Sequence, residues 1–339
     1  MRAGPDEAAA LLDGLHFDTL LQALAAGRGY EPALRDPPGR QGWSDAIPSS
    51  QSFGQLHGSA DRLARLLAVN RAQPGARVAI LAPLGPEAIV SVLACLRAGL
   101  SPMLLPMHGN ELELLRLIEA ADAVMALGVS RVGPLRPLLM LRELAVRAFG
   151  TRFVGGFGAD IPDGIAPLDR LMDSATLHPL PEFDQRAPLL VVDAMTLAGP
   201  LPVTERDVLA RALEISRLLK PMDSSRIVTT LVGGDLAALA SGPAMAMLTG
   251  VELLTLGLFS LGDLQACLAG GRNVHLVLPG TMEAALAHSR LASHPALASL
   301  VFVQRPAGQR SLPAVDRADI AIVDIDVTTA AEITVSRRS

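Results

Sequence analysis

SFGQLHGSADRLARLL (residues 52–67) and GARVAILAPLGPEAIVSVLACLRAGLSPMLLPMHGNELELLRLIEAADAVMAL (residues 75–127) decide the fold. Leu56, Ala60, Leu63, Ala64 and Leu67 recur at three- and four-residue spacing with Asp61, Arg62 and Arg65 between them, which predicts a half-buried helix. Ser52 with Gln55 predicts a capping box at its start. Arg77 to Ala82 is a short apolar run suited to a buried strand, stopped by Pro83, Gly85 and Pro86. Pro86 suits the first turn of a second helix, Ile89, Leu93 and Leu96 give its apolar face, and Gly99 closes it. Met103 to Leu105 predicts a strand, Asn110 with Glu113 caps a third helix, and Ala123 to Leu127 predicts a further strand. Strands alternating with helices of about ten residues specify a parallel sheet covered on both faces.

Outward from this stretch, residues 1–30 read as one or two docking helices, and Glu31 to Gln51, rich in Pro, Gly and Ser, as a loop or linker. Pro134 to Phe149 has helical spacing. Gly155, Gly156 and Gly158 have no helix start after them and read as a strand and turn rather than a nucleotide loop. Residues 168–187 read as irregular. A second alternation opens with a strand at Leu189 to Val192, continues through a loop at Thr196 to Thr204, and has a helix capped by Thr204 and Asp207. It runs on through strands at Ile227–Val232, Val251–Leu256, Val274–Leu278 and Leu300–Val303, ending in a final strand at Ile320–Ile325. Helices are expected at Leu236–Met247, Leu261–Leu268 and Met282–Leu291. The expected organisation is a helical extension and linker (1–50), a first α/β subdomain (51–187) and a second (188–339).

Composition narrows the function. Half of the 339 residues are hydrophobic, enough for a substantial core. The net charge of -5 gives no electrostatic reason to expect nucleic acid. Lys220 is the sole lysine, so 28 of the 29 basic residues are arginine and no mechanism in this chain can use two lysines. Cys95 and Cys267 lie in apolar helical patterns and suggest a reducing, cytoplasmic setting. No membrane span is expected, because the least charged stretch, Leu236 to Val251, is broken by Gly242 and Pro243. The histidines are dispersed without metal-ligand spacing, and Asp319, Asp324 and Asp326 on the last expected strand are weak magnesium candidates.

The order of Phe53–Leu67, Pro74-Gly75-Ala76-Arg77-Val78, Pro86-Glu87 and Leu93-Ala94-Cys95-Leu96-Arg97-Ala98-Gly99 resembles the adenylate-forming acyl-CoA synthetase superfamily, the AMP-binding or AMP-dependent ligases. Leu218–Ile227, Leu268-Ala269-Gly270-Gly271 and Leu278-Pro279-Gly280-Thr281-Met282 continue the resemblance more weakly. It implies an α/β fold of two packed, doubly wound units, like the amino-terminal domain of those enzymes without their carboxy-terminal domain. It also implies chemistry in which a carboxylic acid and ATP give an acyl-adenylate that is passed to coenzyme A. That chemistry needs a Gly, Ser and Thr loop with a Lys for the phosphates, a Glu for magnesium, and a second Lys from the later domain.

Set against those requirements, Asp193 to Thr204 (DAMTLAGPLPVT) keeps Thr196 and Gly199 and lacks the Lys. The segment TTLVGGD (229–235) keeps only Gly233 and Gly234 for close ligand approach. Ile325 to Thr329 aligns with the late motif, where Thr328 keeps its place and Thr329 stands where the Glu belongs. Glu332 reads as a solvated residue. Thr196, Gly199, Gly233, Gly234, Thr328 and Thr329 are therefore the candidate cofactor-binding residues, with ATP, AMP or coenzyme A as the cofactors the resemblance implies. No catalytic or metal residue is assigned. The expected function is a catalytically degenerate relative that binds an acyl or acyl-adenylate ligand or a partner protein. The alternatives are an active ligase half completed by a separate carboxy-terminal domain, and a scaffold subunit with no small-molecule site.

Overall fold

The computed structural model describes residues 12, 14–46, 48–70, 73–174, 179–180, 186–193, 196–270, 273–308, 310 and 312–338. Ala194 and Met195 of the expected phosphate loop, and Gly271, lie outside them. So do residues 1–11 and 13 of the expected amino-terminal helices.

In chain order the elements are α1 (Phe17–Arg28), β1 (Pro32–Arg35), a 3-10 turn (Pro38–Gly42), β2 (Ser50–Ser52), α2 (Phe53–Val69), β3 (Arg77–Leu81), α3 (Pro86–Arg97) and β4 (Ser101–Leu104). Next come α4 (Glu111–Ala120), β5 (Ala123–Val129), α5 (Pro137–Arg147), β6 (Phe153–Phe157), β7 (Ala166–Pro167), α6 (Leu168–Ser174), β8 (Leu189–Val192) and β9 (Pro200–Val203). The chain continues through α7 (Glu205–Leu219), β10 (Arg226–Thr229), α8 (Leu236–Leu239), a π-helical segment (Ala240–Ala244), α9 (Met245–Thr249), β11 (Glu252–Thr255) and α10 (Leu261–Ala269). Last are β12 (Val274–Pro279), α11 (Glu283–Ala287), β13 (Leu297–Gln304), β14 (Ala321–Thr329) and β15 (Glu332–Arg337).

The helices start where local chemistry satisfies their free amides. Ser52 with Gln55, Asn110 with Glu113, Thr204 with Asp207 and Ser260 with Asp263 all form reciprocal capping boxes. The strands build two mixed sheets. The first has the order β7-β6-β5-β3-β4-β8-β9 and the second β15-β14-β13-β12-β10-β11-β1-β2. Pairing is parallel except at β8–β9, β14–β15 and β1–β2. Each sheet is covered on both faces. One apolar cluster holds Val78 and Ile80 of the first sheet, Ile227, Val277 and Val301 of the second, and the helices α2, α3 and α7 between them. Separate clusters cover the outer faces, with α4 and α5 on the first sheet and α10 and α11 on the second.

Several expectations are corrected. The helix α3 has no solvent face: residues 88–96 are buried throughout, because it is the shared middle layer between sheets. The segment 31–51 is not a linker, since β1 pairs in parallel with β11 and β2 closes that edge. Leu168 to Ser174 is helical rather than irregular. Thr196 to Thr204 contains β9, whose Pro200 and Pro202 are tolerated because it is an edge strand. The helix expected over Leu236–Met247 widens into a π segment where Pro243 supplies no amide. The one expected over Met282–Leu291 breaks into α11 and a 3-10 turn at Arg290–Ser293. Ile320–Ile325 is not the last strand, because β15 returns antiparallel to it. Sheet membership also crosses residue 188: β8 and β9 complete the first sheet.

Candidate functional site

In a parallel sheet, loops at the carboxyl ends of the strands gather on one edge and form the ligand crevice. Here that edge joins the two sheets. The Leu84 amide after β3 donates to the Val232 carbonyl after β10 at 3.2 Å, and the Leu236 amide donates to the Ala330 carbonyl after β14 at 3.0 Å. Gly233 and Gly234 are thereby brought next to Thr328 and Thr329. Gly233 faces open space, whereas a Cβ on Gly234 would lie 2.1 Å from the Cβ of Leu104 at the end of β4. The close approach at Gly234 is thus to the first sheet. Thr328 and Thr329 are exposed, and the Thr328 hydroxyl donates to the Glu332 carbonyl at 3.0 Å. Glu332 is exposed and opens β15.

Thr196 and Gly199 reach this edge through β8, which lies beside β4, one strand spacing of about 4.8 Å away. Their loop turns in on itself. The Thr196 amide donates to Asp193 Oδ1 at 3.2 Å and the Leu197 amide to the Asp193 carbonyl at 2.9 Å. Gly199 has φ +122°, a Cβ there would meet none of the described residues within 4 Å beyond its chain neighbours, and Pro200 has no amide to offer. A phosphate-binding loop presents amides outward; this one directs two of them to Asp193 and its turn. Among the described residues, no hydrogen bond joins Thr196 or Gly199 to the other four candidates.

Two charged residues at this edge were not singled out from the sequence. Asp235 is buried, caps α8 by accepting from the Ala238 amide at 2.9 Å, and is ion-paired with Arg305 beyond β13. The Asp-Leu-Ala-Ala pattern is an N-cap signal. The pairing with Arg305 is a tertiary contact with no local signature. Lys220, by contrast, caps α7 at the opposite edge, before β10, and the four residues of that strand alone span ~13 Å.

The other candidates have structural roles. Asp324 is fully buried and bound by Arg338 and Gln304, Asp319 pairs with Arg317, and Asp326 accepts the Gly308 amide at 2.7 Å. The described residues contain no group of three or more His, Cys, Asp or Glu able to hold a metal. Gly155 and Gly156 pack against Leu168 and Leu138. A cleft of about 410 Å³ lies at the carboxyl edge of the first sheet, lined in part by Asp45, Glu87 and Asp169; this acidic lining is unsuited to phosphate. Between α3 and the π segment, an apolar cavity of about 20 Å³ beside Ile89, Leu93 and Pro243 is far too small for an acyl group.

The family model of the AMP-binding enzymes matches residues 25–148. The match to the AMP-binding enzymes thus spans β1 to α5. Likeness of fold to solved structures extends over 91–99% of the chain. The anthranilate CoA ligase AuaEII, solved in complex with anthranoyl-AMP, has a TM-score of 0.72 at 14% identity over 92% of this chain and 60% of its own. Mycobacterium smegmatis MbtA gives 0.73 at 19% identity, covering 99% of this chain and 62% of its own. The inhibitor-bound N-terminal domain of FACL13 from Mycobacterium tuberculosis gives 0.74 at 15% identity, covering 91% and 75%. No curated protein sequence matches the chain. The chain spans about three fifths of the length of AuaEII and of MbtA. No described helix is long and apolar enough to cross a membrane.

Proposed function

We propose that this chain is a catalytically degenerate relative of the AMP-binding acyl-CoA synthetases, which binds an acyl or acyl-adenylate ligand without forming one. The inward-turned loop at Asp193 is the observation that carries this reading. In the loop that the resemblance assigns to the ATP phosphates, the Asp193 carboxylate takes up the Thr196 amide and would repel a triphosphate. The position of Lys220 at the far edge and of Thr329 in place of an acid support the same conclusion. A preformed adenylate carries a single phosphate charge and makes smaller demands. Gly233 and Gly234, with the hydroxyls of Thr196, Thr328 and Thr329 and the open backbone at Gly199, are the proposed contacts. Cys95 and Cys267 are free and buried, as a reducing, cytoplasmic setting allows.

A second reading, an active ligase half completed by a further Lys-bearing domain, is favoured by the three-fifths share of AuaEII, an anthranilate CoA ligase, that this chain spans.

A thermal-shift panel separates these readings. A non-hydrolysable aroyl-adenylate analogue at 100 times its Kd should add about 2.7 kcal/mol to stability and raise Tm, while ATP with magnesium leaves Tm unchanged. An equal shift with ATP would contradict the role given to Asp193. No shift with the analogue, with coenzyme A or with ATP would replace the binding reading by a scaffold.

A further inference from the structure

The two sheets meet at a second polar point, away from the candidate loops. A cavity of about 10 Å³ lies among the ends of β3, β5 and β11 and the 3-10 turn, lined by Asp36, Arg40, Trp43, Glu87 and Thr255 among others. Trp43 is wedged between the sheets. Its carbonyl accepts from the Gly133 amide after β5, and a Cβ on Gly257, after β11, would stand 3.0 Å from its ring. Gly257 has φ +57°, so glycine is required there for both backbone and space.

Three buried polar atoms of the lining residues have no partner among the described residues: Arg40 Nε, Trp43 Nε1 and Thr255 Oγ1. Arg40 is 3% exposed and Thr255 2%. The other guanidinium nitrogens of Arg40 are held by Asp36 and Glu87. Two of the three orphans are N–H donors and the third is a hydroxyl. Buried donors left unpaired are costly, and native interiors satisfy them.

We propose that this cavity binds one internal water that accepts from Arg40 Nε and Trp43 Nε1 and donates to Thr255 Oγ1, joining the connection between β1 and β2 to the end of β11. Size and charge select water over other ligands. The volume suits a single water and nothing larger. Two N–H donors repel a cation, and two carboxylates against one guanidinium disfavour an anion. A water supplies two acceptor sites and two donors, which meets all three orphans and leaves one donor for a neighbouring oxygen.

Trp43 is the sole tryptophan, so its indole N–H gives one resonance in a nitrogen-15 correlation spectrum of the full chain. The expected result is a nuclear Overhauser cross-peak from that N–H to water, with the sign of a long-lived bound molecule. Its absence would overturn the proposal. A substitution gives an independent reading. If the cavity holds water, Thr255→Val strips a hydrogen bond and lowers Tm by about 2 °C, while Thr255→Ser retains it. In a dry cavity the same Thr255→Val change removes an unsatisfied hydroxyl, and an unchanged or raised Tm contradicts the proposal. Should Thr255→Val fail to fold, the wild-type cross-peak decides.

Discussion

Arg338→Met is expected to destabilise the chain by about 3–5 kcal/mol at neutral pH. Arg338 lies between two fully buried carboxylates. It donates to Asp324 Oδ2 at 2.7 Å and Oδ1 at 2.6 Å, and to Glu283 Oε2 at 2.9 Å, and its guanidinium sits 5.2 Å above the Phe302 ring. Gln304 and the Val315 amide supply further donors to the two acids. Burial pushes the Asp324 carboxyl up, but hydrogen bonds from Arg338 and Gln304 and the charges of Arg338 and Arg310 outweigh it and hold it below the usual range. In the wild type that interaction is therefore present above the unfolded carboxylate range and is lost as the pH falls through the folded value.

Without Arg338, burial prevails and Asp324 takes up a proton more easily. The gap between wild type and variant is then expected to narrow as the pH drops from 7 toward 4. Urea denaturation at both pH values measures it. A loss under 1 kcal/mol, or a gap that stays constant with pH, would contradict this role for Arg338.

A second large effect is expected from His275. Its Nδ1 shares a hydrogen bond with Ser299 Oγ at 2.8 Å between β12 and β13, Nε2 has no partner among the described residues, and the residue is 2% exposed. Burial pushes the imidazole down from 6.5 to about 4. Between those values the unfolded chain binds the proton and the folded chain does not. Stability is full above pH 6.5 and declines as the pH falls toward 4, by about 3 kcal/mol in all. His275→Asn, which keeps a polar group near Nδ1 and removes the titration, is expected to flatten that part of the stability profile. Parallel slopes for the two proteins between pH 6.5 and 4.5 would show that His275 does not set it.

Local chemistry carried most of the central elements into view. Ser52, Asn110 and Thr204 mark their helices by a cap and a partner three residues on, and the apolar positions of residues 56–67 are buried as their spacing requires. What stayed hidden depends on distant partners. Pro32–Arg35 and Ser50–Ser52 are too short and too rich in turn-type neighbours to read as strands; they exist because β11 offers an open edge. Two prolines conceal β9. In α3 a period of three and four was visible, but not that a second sheet would cover the other side. At the candidate site, Gly233, Gly234, Thr328 and Thr329 were proposed from the resemblance of their segments to the family's motifs; the glycines follow β10 and the threonines end β14. The pairing of Arg305 with Asp235 and the inward turn at Asp193 arise only when the chain has folded.

The central claim is that the loop after β8 no longer activates ATP. Isotope exchange between pyrophosphate and ATP, run with magnesium and a panel of aliphatic and aromatic carboxylic acids, tests it most directly. The expected result is exchange at the protein-free rate with every acid. Exchange that rises with the concentration of any one acid would show a working adenylation site and contradict the claim.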